Sequence, residues 1–319
     1  MSDIQDDKAP HVVPFILERL AHHQRRYSSD SNPPPFFLGL NGVQGAGKTV
    51  LVSVIQSTLR SPPHNLPTVV FSLDDLYLTH SDQVSLAESH PTNPLLQHRG
   101  QPSTHDIPLA LSVFKSLKES KPTKIPQYNK AAFSGQGDRV PSSEWEEVNT
   151  DPSHPIGVVL FEGWCVGFRP LSDETLEGLH SRASGIRHDP KANYNGRLGH
   201  NSLQSVTDIN DALKQYDALT DQYDAFIHID AADPQYVYKW RLQQEEGLRA
   251  KKGSGMTDEQ VKNFVDGYYP AYELYTETLR QGVFAPREGG EKNDNEGWRG
   301  RQLRLVVGED RKVREVIKI

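Results

Sequence analysis

The chain is poor in sulfur and has no long apolar runs. Of its 319 residues one is cysteine, Cys165, and two are methionine. A single thiol excludes an internal disulfide and any multi-cysteine metal site, and it suits a reducing compartment. No apolar stretch approaches the roughly 20 residues of a membrane-spanning helix. Positive charge is also short. The 35 Lys and Arg against 42 Asp and Glu leave a net charge of −7, with a pI near 6.0. Replacing the counterions of nucleic acid or anionic lipid needs a basic surface, so neither nucleic acid nor membrane is expected as a partner. The opening residues, Met1-Ser-Asp-Ile-Gln-Asp-Asp7, hold no apolar h-region and no arginine-rich amphipathic pattern, so no targeting segment is visible. No internal repeat is present. A monomeric, cytoplasmic, globular protein acting on a small molecule is the expectation.

Against these absences stands one complete motif, Gly42-Val43-Gln44-Gly45-Ala46-Gly47-Lys48-Thr49. This is the G-x-x-x-x-G-K-[ST] phosphate-binding loop. Its glycines let backbone N–H groups, up to that of Val50, approach the phosphates of a nucleoside triphosphate; Lys48 reaches the outer phosphates and the Thr49 hydroxyl ligates Mg²⁺. From average composition its four specified positions coincide by chance in about one chain in a hundred of this length. The context fits as well. Pro35-Phe-Phe-Leu-Gly-Leu40 reads as a buried strand, and Leu51, Val54, Ile55 and Leu59 form one helical stripe after the loop. The start of that helix also offers its positive end to the anion.

Further along, Thr68 to Ser72 and Gly157 to Phe161 read as buried parallel strands, with a weaker third at Ala225 to Ile229 and a last one at Leu303 to Val307. Helices separate them. Val12, Val13, Phe15, Ile16, Leu17 and Leu20 mark one before the first strand; Asp106 caps another; Asp233-Pro234 opens a third in the same way; and Thr257-Asp-Glu-Gln260 is a capping box for a fourth, which Pro270 should kink. The βαβα order predicts an α/β fold with a doubly wound parallel sheet, helices on both faces and the nucleotide at the carboxyl ends of the strands. Residues 1–34 read as a helix and linker, and 35–319 as one domain. Within it, residues 180–205 read as a surface insertion and 285–300 as a mobile loop.

Phosphoryl transfer needs a metal-holding acid, a base and cations. Glu162 follows the strand Val158-Val-Leu-Phe161 directly and is the candidate metal ligand beside Thr49. Asp74 and Asp75 end the second strand. Adjacent residues on extended backbone face opposite ways, so one of the two should be the base. Lys239, Arg241, Arg249 and Lys251 lie where a helical lid could neutralise the moving phosphoryl group, Arg241 being the favoured one. Trp240, Tyr268, Tyr272 and Tyr275 recur at helical spacing and read as packing residues.

Taken in order, the P-loop, Ser72-Leu-Asp-Asp-Leu-Tyr77, Arg99-Gly-Gln-Pro-Ser-Thr-His-Asp106, Tyr128-Asn-Lys130, Gly135-Gln-Gly-Asp-Arg139, Phe161-Glu-Gly-Trp164 and Trp240-Arg-Leu-Gln-Gln-Glu245 resemble the D-glycerate 3-kinase family of plants and fungi. That family belongs to the P-loop kinases with uridine kinase, phosphoribulokinase and pantothenate kinase, and the likeness runs from about residue 36 to residue 280. The resemblance implies ATP and Mg²⁺ as cofactors, D-glycerate as acceptor, Asp74 as base, and an acceptor segment comprising Asp75, Tyr77, Arg99, Thr104, His105, Asp106 and Tyr128. A carboxylate acceptor needs a cation, and Arg99, Lys130 and Arg139 are the choices.

One segment departs from the family pattern, which commonly has Tyr-Asp-Lys-Ser where this chain has Tyr128-Asn129-Lys130-Ala131. The acceptor could therefore be a nucleoside, pantothenate or another metabolite. A nucleotide-dependent regulatory switch is the reading from another class, although no Asn-Lys-x-Asp guanine motif is present.

Overall fold

The computed structural model describes residues 6–253, 255–286 and 296–319. Its helices are α1 (Ala9–Arg26), α2 (Lys48–Arg60), α3 (His80–Ser89), α4 (Ile107–Lys118), α5 (Asp173–His188), α6 (Leu203–Thr220), α7 (Tyr236–Lys252) and α8 (Asp258–Gln281). The strands are β1 (Phe36–Gly42), β2 (Thr68–Ser72), β3 (Thr123–Ile125), β4 (Tyr128–Asn129), β5 (Asp138–Arg139), β6 (Glu146–Val148), β7 (Val158–Gly163), β8 (Ala225–Ala231), β9 (Gln302–Val307) and β10 (Val313–Lys318). Six of them form a sheet in the order β10-β9-β8-β1-β7-β2. Five run parallel, and β10 joins β9 antiparallel. This is the α/β, P-loop arrangement read from the sequence.

All of β1 is buried, as a parallel strand covered on both faces should be. The same holds for β8, but His228 and Asp230 interrupt its apolar run. Asp230 survives there because Arg280 Nε donates to Oδ2 at 2.9 Å and Arg304 Nη2 at 2.6 Å. A buried charge paired in this way is tolerated. Helix α2 buries Leu51, Val52, Ile55 and Leu59, so Val52 takes the place expected for Val54.

Several boundaries differ from the sequence reading. Residues 180–188 continue α5, and the irregular stretch after it is docked, since Glu273 Oε2 accepts from the backbone of both Arg197 and Leu198 at 2.7 Å. Helix α7 begins at Tyr236, and Asp233 instead makes a turn by accepting from Gln235 N at 2.8 Å. Helix α8 carries the expected capping box and runs on through Pro270 without ending. Most of the loop expected at 285–300 lies outside the described residues.

Strands β1, β7 and β2 are neighbours, and Glu162 is in register with both Leu40 and Ser72. The segments after these three strands therefore converge at one edge of the sheet. There the phosphate-binding loop, Glu162 and the Asp74-Asp75 pair meet.

Candidate active site

The P-loop has the conformation its glycines permit. Gly45 and Gly47 stand at φ +79° and +97°, where other residues are strained. Gly42 is needed for closeness, because a Cβ there would lie 3.1 Å from Ile229 Cβ and 3.3 Å from Lys48 Cγ. Lys48 Nζ donates to the carbonyl of Gly42 at 2.7 Å and reaches that of Val43 at 3.4 Å. Burial holds its pKa below the usual lysine range, against the opposing pull of Glu162 and Asp74. Gln44 turns to Tyr272, whose hydroxyl donates to its Oε1. The side chain of Val50 is exposed, so its backbone alone can serve the anion.

Thr49 is exposed, and Glu162 is half-buried with no side-chain hydrogen bond among the described residues. One hydroxyl and one carboxylate suit Mg²⁺, which keeps several waters and takes phosphate oxygens as further ligands. Among the described residues no cluster of three or more His, Cys, Asp or Glu could hold a metal alone. These two side chains fit an ion that arrives with the nucleotide.

Asp74 and Asp75 do not lie on extended backbone, as the sequence reading assumed. They sit in a short 3₁₀ turn, Leu73–Leu76, whose capping box joins the Ser72 side chain to the Asp75 carboxylate. Asp75 Oδ2 accepts from Ser72 N at 3.0 Å, so this carboxylate holds the turn. Asp74 points elsewhere. Its Oδ1 accepts from Tyr77 Oη at 3.0 Å, and its Oδ2 receives Lys130 Nζ at 2.5 Å. Burial alone would raise its pKa, but the Lys130 charge and hydrogen bond outweigh it and keep the carboxyl below its ordinary value. For Asp75 burial dominates, and its pKa is raised.

Tyr77 is buried and stacks on His105 with ring centres 4.6 Å apart, while Tyr128 meets it edge-on at 5.3 Å. His105 Nδ1 pairs with Tyr216 Oη at 2.7 Å, and Nε2 is buried without a partner. Burial lowers its pKa to about 3, so the ring is neutral.

The three candidate cations have different occupations. Arg99 donates to the carbonyls of Gly135 and Gln136 and approaches that of Lys130, which fastens the β4–β5 hairpin. Arg139 binds Asp106 at 3.0 Å and the Tyr77 carbonyl at 3.0 Å. Lys130 is the exposed one, with 56% of its side-chain surface open. Asn129, which replaces the family's usual aspartate, accepts from Ala131 N at 3.0 Å. An aspartate would make the same turn, so the departure concerns loop geometry.

Arg241 lies over the Phe264 ring at 5.1 Å and donates to Glu245 at 3.2 Å. Arg249 pairs with Asp258 at 2.8 Å. Trp240 is fully buried, as expected, and Tyr268, Tyr272 and Tyr275 are likewise buried. Sequence reasoning missed Lys8 and Arg311, which reach the P-loop from the two ends of the chain. It also missed the tie from Tyr272 to Gln44. No motif marks such contacts.

No family model matches the chain. It is 36% identical over 276 residues to the chloroplastic D-glycerate 3-kinase of Arabidopsis thaliana, covering 84% of this chain and 54% of that protein. The chain thus spans about half the length of that relative. An uncharacterized kinase of Schizosaccharomyces pombe is 38% identical over 78% of this chain and 84% of its own length. Among solved structures, D-glycerate 3-kinase from Cryptococcus neoformans var. grubii superposes with a TM-score of 0.84 at 36% identity, covering 98% of this chain and 100% of that one. A P-loop kinase fold, and likeness to the Cryptococcus enzyme over 98% of this chain and to the Schizosaccharomyces kinase over 78% of it, lead to one conclusion: the chain belongs to the D-glycerate 3-kinase family of P-loop kinases.

Proposed function

We propose that this kinase transfers the γ-phosphoryl group of ATP to the primary hydroxyl of D-glycerate, forming 3-phosphoglycerate. The observation that carries the reading is the Lys130–Asp74 pair, which sets an exposed cation and a carboxylate side by side next to Lys48. An acceptor bearing both a carboxylate and a hydroxyl needs those two groups. Its carboxylate would draw Lys130 away from Asp74. The freed Asp74 would accept a hydrogen bond from the hydroxyl, orient it toward the γ-phosphorus and take its proton.

Lys48 would follow the outer phosphates, and Thr49 with Glu162 would hold Mg²⁺, whose role is to neutralise charge on the phosphate oxygens. Arg241 would serve as the lid cation after turning from Glu245 toward the nucleotide. Tyr77, His105 and Tyr128 supply a packed wall, with Arg99 and Arg139 fixing the hairpin and the start of α4. Asp75 is reassigned to holding the turn that presents Asp74.

We place the enzyme in the cytoplasm as a monomer, a reading supported by the lone, buried Cys165 and the acidic charge balance. No helix among the described residues is long and apolar enough to cross a membrane. An acceptor screen with Mg-ATP tests the proposal. D-glycerate should be phosphorylated in preference to uridine and pantothenate, with the product mass raised by one phosphate. Turnover of uridine without turnover of glycerate would overturn it.

A further inference from the structure

The P-loop is gripped from behind by side chains that belong to no motif. Lys8, just before α1, is 5% exposed, which is rare for a lysine. Its ammonium donates to the Arg311 carbonyl at 2.8 Å and to Asp7 Oδ1 at 3.3 Å. Asp7 Oδ2 in turn accepts from Val313 N at 2.8 Å, which stitches the same segment to the start of β10. The ammonium also lies 3.9 Å from where a Cβ on Gly47 would stand, so it borders the loop itself.

Arg311 sits in the turn between β9 and β10 and donates from Nε to the Gly45 carbonyl at 2.7 Å. Its guanidinium lies over the Trp240 ring at 5.4 Å. Trp240 packs on the loop from the same quarter, for a Cβ on Gly45 would come within 2.5 Å of Trp240 Cβ. The indole N–H is anchored on the Glu309 carbonyl at 2.6 Å, within the turn that carries Arg311. Arg311 itself is held at φ +64°.

Gly45 and Gly47 are the residues whose freedom the anion cradle uses, and freedom must be lost when phosphates bind. A loop already fixed by its surroundings loses less. Two cations in a half-dry setting also raise the potential behind the cradle, where screening is weak. We infer that Lys8 and Arg311 form a brace that preorganises the P-loop and sets the affinity for nucleotide, leaving acceptor binding unaffected. The brace joins the residue before α1 to the turn between β9 and β10.

The test compares Lys8→Met, Arg311→Met, the double variant and Lys8→Arg by titration calorimetry with Mg-ADP, which needs no acceptor, and by KM for ATP and for D-glycerate. Each Met variant should weaken Mg-ADP and raise KM for ATP about five- to tenfold, the net worth of one ordinary hydrogen bond, because neither side chain touches the nucleotide itself. KM for the acceptor should change less than about twofold, since neither side chain touches that site. The double variant should fall short of the product of the two, because Lys8 holds the residue that holds Gly45. Lys8→Arg should restore most of the affinity. If Lys8→Met does not fold, Lys8→Gln, which can keep the bond to the Arg311 carbonyl without the charge, should still weaken Mg-ADP by at least about twofold. Unchanged Mg-ADP affinity alongside a lowered melting temperature would overturn the inference, as would an equal rise in both KM values.

Discussion

Lys130→Met removes the ammonium 2.5 Å from Asp74 Oδ2 and keeps most of the apolar stem. With Lys130 56% exposed and Asp74 28% exposed, water screens the pair, and its own worth is at most about 1 kcal/mol. The loss should therefore scarcely alter stability. Binding is another matter. A charge-assisted contact to an acceptor carboxylate, dried when the site closes, is worth about 1.5–3 kcal/mol, so KM for D-glycerate should rise about ten- to a hundredfold. KM for ATP should stay within about twofold.

A second effect concerns pH. Asp74 must be ionised to act as base, and with Lys130 present its carboxyl lies below the ordinary value despite burial. Without Lys130 burial prevails and the pKa rises, so the acid limb of kcat/KM should move to higher pH. Initial rates from pH 4.5 to 9 with glycerate, and with glycerol as an uncharged acceptor, read both effects. Glycerol turnover should lose less than glycerate turnover. A variant with unchanged KM for glycerate and an unmoved acid limb would refute both the carboxylate role of Lys130 and its control of Asp74.

Asp74→Asn should lower kcat by about 10² to 10⁴, the range for a positioned general base, with the lower end favoured if the transition state is loose. Asp75→Asn should instead cost about 1 kcal/mol of stability by weakening a cap, with a much smaller fall in kcat; single-turnover rates and urea melts on both variants separate the two roles. His105 and His228 are buried with pKa values lowered by burial to about 3 and about 4. Their stabilising effect is present in full above the unfolded value near 6.5 and is lost as pH falls toward these folded values. At pH 5.5 each should cost about 1.4 kcal/mol relative to neutral pH. Urea melts at pH 7.5 and 5.5 should show that decline, and His105→Gln should lessen it by about the same amount; equal declines in both proteins would contradict the assignment.

The parts of the site that depend on local chain were legible in the sequence. The P-loop is a backbone device whose glycine, lysine and threonine positions are fixed by phosphate geometry, and its flanking strand and helix carry clear apolar patterns. Glu162 follows a strand with a continuous apolar run. Asp74 and Asp75 do aim their carboxylates differently, but the physical reason is a capping box and not strand alternation.

Long-range pairing was not legible. Arg99 and Arg139 looked like free cations because their partners lie far along the chain: the Gly135 and Gln136 carbonyls are set by a hairpin in which Phe133 and Ser134 take left-handed backbone, and Asp106 by its place at the start of α4. The contact from Lys8 to Arg311 spans 303 positions and leaves no local trace. Strand β10 was missed because an exposed edge strand carrying Arg314, Glu315 and Lys318 lacks the apolar run that marks the buried strands. The bulk of α5 was missed for a related reason: among its described positions only Leu176 and Ala183 are buried, too few to draw an apolar stripe.

The central claim is that a phosphoryl group passes from ATP to the primary hydroxyl of glycerate. Proton-coupled ³¹P NMR of a reaction with Mg-ATP and D-glycerate tests it directly, because the number of protons on the phosphorylated carbon sets the multiplicity. A new phosphate monoester triplet, growing in step with ADP and absent from Lys48→Ala, is the predicted result. A doublet from a secondary ester, or inorganic phosphate as the sole product, would contradict the account.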